Sequence, residues 1–173
     1  AAELIAHGAD PNRQSKEKWT PLMYALRYSS PEATMALLKA GAKPDGVNQN
    51  KWTPLMFALR YSTPEVCTAL IEAGAQTDGA NLSGWTPLMF ALRYSTPEVA
   101  DALIDKSPDI SARDSEGWNA LMYALSNKMP KQANRLLSAG ADCTTPDQKG
   151  WTPLMFALKA GFDDQARSII DKG

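Results

Sequence analysis

The sequence predicts an all-α solenoid, a row of helix-turn-helix repeats of 33 residues joined by polar, turn-rich extended loops. Three observations lead to that fold class. The five tryptophans, Trp19, Trp52, Trp85, Trp118 and Trp151, stand 33 residues apart, and Met23, Met56, Met89, Met122 and Met155 keep the same step. The segment after each Trp recurs: WTPLMYALRYSSPEA at 19–33, then WTPLMFALRYSTPEV at 52–66 and again at 85–99, drifting to WNALMYALSNKMPKQ and WTPLMFALKAGFDDQ. No copy carries an insertion, so every unit takes one shape.

The period accounts for the whole chain. Residues 1–18 read as the tail of an earlier repeat; 19–51, 52–84, 85–117 and 118–150 are full repeats; 151–173 is a repeat cut before its last loop. The expectation is one continuous domain over 1–173, excised from a longer chain, with Leu4 and Ile5 only half supported at its start. Repeat 52–84 shows the logic of each element. Thr53 is a good N-cap and Pro54 suits a first helical turn, so a short helix starts there. Leu55, Ala58 and Leu59 give it one apolar face. Ser62-Thr63-Pro64-Glu65 ends that helix and opens a second, with Glu65 favourably placed at its N-terminus. Val66, Cys67, Leu70 and Ile71 form the second stripe, and Gly74 in Ala73-Gly74-Ala75 is the expected left-handed cap. Gln76 to Gly84 is polar and turn-rich, an extended loop. Helices of about ten residues are unstable alone, so each must bury its stripe on neighbouring repeats. The last helix is more polar than its siblings, with Gln165 and Ser168 where the second repeat has Val66 and Ala69, and is expected to act as a partial cap.

The period, the two short helices, T-P-L before the first and A-G-A after the second resemble the ankyrin repeat across essentially the whole chain. The resemblance implies a curved stack, with finger tips and first helices lining a concave groove. The W-T-P-L-M-[FY]-A variant is similar to repeats common in bacterial proteins. Several departures alter local geometry. Met replaces the usual His after T-P-L in all five repeats, Ser29, Ser62 and Ser95 replace the glycine between the helices, and Gly161 restores it. Lys106-Ser107-Pro108 stands in place of A-G-A, and Asn119-Ala120 in place of T-P.

The family's contact positions, carried over one by one, give the candidate partner-binding residues. On the groove side are Trp19, Trp52, Trp85, Trp118 and Trp151, and the pairs Arg27-Tyr28, Arg60-Tyr61 and Arg93-Tyr94, followed by Ser126-Asn127 and Lys159-Ala160. Between them run Tyr24, Phe57, Phe90, Tyr123 and Phe156. Trp, Tyr and Arg are the residues most enriched at binding hot spots. Two readings stay open: the rows are contact surface, or Trp packs on the next repeat and Arg on a neighbouring Tyr. The finger tips vary, at Lys16-Glu17, Gln49-Asn50, Leu82-Ser83, Ser115-Glu116 and Gln148-Lys149, and are a second candidate surface or simply drifting solvated loops.

Other chemistries find little support. There is no G-x-S-x-G, Gly-rich phosphate loop or H-E-x-x-H, and His7, the single histidine, sits where other repeats have Ala or Lys, so no catalytic or metal-ligating set is expected. Asp163-Asp164 opens a helix and reads as helix-end electrostatics. Cys67 and Cys143, 76 residues apart, are expected to form no disulfide. A net charge of -1 with dispersed basic residues argues against nucleic acid, and no apolar run reaches the ~20 residues of a membrane span. No signal peptide is recognisable, and the sequence names no compartment. The leading expectation is a non-enzymatic, monomeric scaffold that binds a partner protein or extended peptide in the groove, without cofactor or small-molecule substrate. The rivals are a structural spacer in a larger protein and an accessory segment of an enzyme whose catalytic domain lies elsewhere.

Overall fold

The computed structural model describes residues 9–106 and 108–172; Leu4, Ile5, His7 and Ser107 of the sequence analysis lie outside them. The chain divides into two compact units, Ala1–Leu82 and Ser83–Gly173. The first contains α1 (Pro21–Tyr28), α2 (Pro31–Lys39), α3 (Pro54–Tyr61) and α4 (Pro64–Glu72). The second contains α5 (Pro87–Tyr94), α6 (Pro97–Ile104), α7 (Ala120–Ser126), α8 (Pro130–Ser138), α9 (Pro153–Ala160) and α10 (Asp163–Lys172). Among the described residues there is no strand, so the fold is all-α, as the repeat pattern predicts.

Each first helix starts for the same reason. Thr20, Thr53, Thr86 and Thr152 accept the backbone N–H of the Met three residues on, at 3.1–3.4 Å, and Pro fills the next position. Asn119 does the same for Met122 at 3.0 Å while its amide donates to the Asp142 carbonyl, which explains why T-P is dispensable there. The second helices differ: Ser30 caps α2, but Thr63 makes no cap bond to α4. Instead the Thr63 hydroxyl, then the backbone N–H of Glu65, holds the Glu65 carboxyl below the usual range. Gly74 is left-handed at φ +85°, as expected for a helix-ending cap.

Within each unit successive helix pairs stack, α1 on α3 and α2 on α4 in the first, α7 between α5 and α9 in the second. The inner helices are buried well beyond one stripe: Pro54 to Leu59, Pro87 to Leu92 and Ala120 to Leu125 are all buried. Met23, Met56, Met89 and Met122, where the family carries His, lie wholly in this core, so an apolar side chain replaces a hydrogen-bonding one there. Cys67 and Cys143 are buried and unbridged. Ile71, the last residue of the second-helix stripe, is only half-buried.

Local geometry differs between repeats at two places. Ser29, Ser62 and Ser95 turn between helices with extended backbone, whereas Lys128 takes their place at φ +58° and Gly161 at φ +75°, so the repeats use two different turns. Gln165 is no outward cap: it is buried, and its amide donates to Asn134 Oδ1 at 3.0 Å and the Pro130 carbonyl at 3.5 Å. Gln132 repeats the arrangement on Asp101 and Pro97, so polarity at this position ties second helices together. Three apolar side chains of the last helix pair, Met155, Leu158 and Ile170, are open to solvent among exposed charged residues such as Lys159, Asp164 and Arg167.

One ion pair braces the loops of the second unit. Arg113 donates to Asp142 Oδ2 at 2.7 Å and to the carbonyls of Gly117 and Thr145. Burial pushes the Asp142 carboxyl up, but the Thr144 N–H, the Thr145 hydroxyl and N–H, and Arg113 together hold it well below the usual carboxylate range. A carboxyl depressed in the folded state stabilises it fully above the unfolded value of about 3.9, and that contribution is lost as pH falls below it. Asp142→Asn is therefore expected to lower the melting temperature at neutral pH, with the gap to wild type closing as pH drops below about 4. A gap that is constant across the acid range is the contrary result.

Candidate functional site

The fingers are built by the residue four before each Trp. Ser15, Asn48, Asp114 and Asp147 each accept the Trp backbone N–H on their side chain at 2.8–3.2 Å and donate their own N–H to the Trp carbonyl. In the last three the same oxygen also takes the N–H two residues on. These are side-chain-closed turns, a conformation that Asn, Asp and Ser favour because their oxygen reaches the nearby backbone. The Asn and Asp are buried. The sequence analysis does not single them out, although a small polar residue recurs at that spacing in every repeat, as Ser15, Asn48, Asn81, Asp114 and Asp147.

The predicted tips are where the turns are. Gln49, Asn50, Leu82, Ser83, Ser115 and Glu116 are all exposed turn residues. Their backbones also string neighbouring fingers together, Gln49 N–H to the Glu17 carbonyl and Leu82 N–H to that of Asn50 in the first unit, Ser115 N–H to that of Ser83 and Gln148 N–H to that of Glu116 in the second. The backbone at the tips is thus committed, while the side chains of Leu82 and Glu116 are exposed.

Trp19, Trp52, Trp85 and Trp118 are half-buried and Trp151 is exposed. They form aromatic ladders. In the first unit Phe57 lies between Trp19 and Trp52, with centroids at 4.8 and 4.9 Å. In the second, Tyr123 lies between Trp85 and Trp118 at 4.8 and 4.9 Å, and Phe156 between Trp118 and Trp151 at 4.7 and 5.4 Å. Each such pair adds ~0.5–1.5 kcal/mol beyond area burial. One face of each indole thus packs its neighbour while its outer part remains accessible.

The Arg and Tyr rows stand on the exposed side of the same ladders. Arg27, Tyr28, Arg60, Tyr61, Arg93 and Tyr94 are all exposed. Arg27 donates to the Tyr28 hydroxyl at 2.8 Å and to the Tyr61 hydroxyl at 3.2 Å, with its guanidinium 5.2 and 5.0 Å from those ring centres. Arg93 donates to Asn127 Oδ1 at 3.3 Å and faces the Tyr94 ring at 5.8 Å. Arg27 and Arg93 are thus oriented by hydroxyl, amide and ring partners, and among the described residues neither is neutralised by a carboxylate. By contrast, Arg113 and Arg135 are committed to Asp142 and to Asp101 with Asp105.

Among the described residues no cluster of His, Cys, Asp and Glu is arranged to hold a metal, and no helix is long and apolar enough to cross a membrane. The family described as ankyrin repeats (3 copies) matches residues 1–81 and 76–147, together most of the 173-residue chain. No curated protein matches the sequence.

Proposed function

Because the chain belongs to the ankyrin-repeat family, whose repeats are generally non-catalytic protein–protein interaction modules, we propose that it binds a partner protein or extended peptide through the Trp, Arg and Tyr rows of its repeats. The observation that carries this reading is the state of Arg27 and Arg93: exposed and held in place, with their charge left uncompensated. Held guanidiniums lose less entropy on contact, and their forked donors match carboxylates. Tyr28, Tyr61 and Tyr94 beside them offer flat contact area at low conformational cost. The groove of the family is the place for such rows, and an extended segment with recurring carboxylates is the ligand that suits them.

The test is a binding titration of a partner recovered with the intact chain, at low and high salt. Affinity is expected to fall as salt rises, since exposed charges are screened over about 8–10 Å. Replacing Arg27, Arg60 and Arg93 by Ala removes three exposed charge contacts of ~0.5 kcal/mol each, so Kd is expected to rise about tenfold. If the triple variant folds and binds like wild type, these rows are not the contact surface, and the tips at 49–50, 82–83 and 115–116 are tested next.

A further inference from the structure

We propose that a bay in the second unit, floored by Trp85, Trp118 and Tyr123, accepts an acidic side chain of an extended peptide. The proposal rests on the protein-binding reading above and identifies the kind of residue that this part of the rows reads. The bay holds about 210 Å³, room for one side chain.

A break in the Tyr row opens it. In the first unit Tyr61 stacks over Phe57 and Trp52 at 6.4 Å, and its hydroxyl takes a hydrogen bond from Arg27. The residue in the same relation to Arg93 is Asn127, whose amide oxygen takes the Arg93 hydrogen bond but whose side chain carries no ring. Trp118 and Tyr123, the counterparts of Trp52 and Phe57, therefore lack that cover, while Trp85 is stacked by Tyr94 at 6.0 Å.

Two of the three floor rings are held by hydrogen bonds. The Trp118 indole N–H donates to Asp147 Oδ2 at 2.9 Å, and the Tyr123 hydroxyl donates to buried Asp114. With those donors committed to the finger bases, the floor offers apolar contact to methylenes, and polar recognition falls to the rim.

The rim carries two cations and one carboxylate: Arg93, Lys149 and Glu116, with Tyr94 as the side wall. Among the described residues Arg93 bonds only a neutral amide, and Lys149 makes no ion pair. Lys149 is also the one basic residue at its finger position, where the other repeats have Glu17, Asn50, Ser83 and Glu116. A glutamate fits this arrangement: its methylenes lie on the rings, and its carboxylate meets the Arg93 fork and the Lys149 ammonium. With Glu116 counted, the rim still carries a net positive charge, which disfavours a cationic side chain.

The experiment uses the full chain and an end-blocked peptide alternating glycine and glutamate, with its glutamine counterpart as control, read by the indole N–H signals in proton–nitrogen NMR. Saturable shifts are expected at Trp85 and Trp118 with the glutamate peptide, and about tenfold weaker binding with the glutamine peptide, the loss of one charge-assisted contact. Lys149→Ala is expected to weaken the glutamate peptide without lowering the melting temperature. Asn127→Tyr is expected to close the bay and abolish the shifts at Trp85 and Trp118. Equal response to both peptides, or unchanged shifts in Asn127→Tyr, overturns the proposal. So does a response confined to Trp19 and Trp52, which removes this bay while leaving acidic-peptide binding by the Arg–Tyr rows standing. Silence at every indole from a chain that still binds its partner in the salt titration also overturns the bay, and leaves the protein-binding reading intact.

Discussion

Leu125→Ala is expected to destabilise the second unit by about 2–5 kcal/mol, and Leu158→Ala, the same repeat position one period later, by less than about 1 kcal/mol. Leu125 is fully buried in α7, a helix packed by α5, α8 and α9, whereas Leu158 is 58% exposed on α9. Removing a buried leucine loses its transfer free energy and leaves a cavity that packed helices fill only in part. At Leu158 most of the side chain already sees water, so there is little to lose. Urea unfolding followed by circular dichroism separates the two through the transition midpoint. Equal losses would mean that Leu158 is covered in solution, and equal indifference would mean that α7 is not the packed centre the structure describes.

The contrast between those two leucines marks what the sequence does and does not make legible. Thr-Pro pairs, the 33-residue step and the apolar spacing place every helix start, because capping and periodicity are local and repeat unchanged. Which copy of a repeated residue is buried depends on neighbours, so Leu125 and Leu158 look identical in sequence. The finger tips are legible as turns, but the carboxylates that build them are not. Asp114 joins a backbone turn to the Tyr123 hydroxyl, and Asp147 a backbone turn to the Trp118 indole of the preceding repeat. Such pairs cross repeats and need the register of the stack before they can be seen. The same holds for the Arg row. Its presence is read from the sequence, but the choice of Tyr61 by Arg27 and of Asn127 by Arg93 follows from a spacing of 34 residues that no local pattern announces.

Gly84→Ala is expected to cost on the order of 2–4 kcal/mol, while Gly150→Ala costs about 1 kcal/mol and Lys51→Gly raises stability by up to about 1 kcal/mol. All three residues precede a Trp and share a left-handed backbone, at φ +78°, +82° and +59°. That conformation costs an L-residue roughly 1–2 kcal/mol, a cost that Lys51 already bears and that Ala would incur at either glycine. The neighbourhood decides the rest. A Cβ on Gly150 meets nothing within 4 Å, but a Cβ on Gly84 would stand 2.5 Å from the Arg113 carbonyl oxygen and 2.8 Å from the Asp114 Cα. Those atoms are backbone, so relief requires moving a finger rather than rotating a side chain. Asp114 is also the base of that finger, taking the Trp118 N–H and the Tyr123 hydroxyl, so the displacement would spread into the aromatic ladder. Chemical denaturation of the three variants gives the ranking. A Gly84→Ala variant as stable as Gly150→Ala would show that adjacent fingers of the second unit do not pack this closely, and the bay floored by Trp85 and Trp118 would then lack the rigid frame on which its selectivity depends.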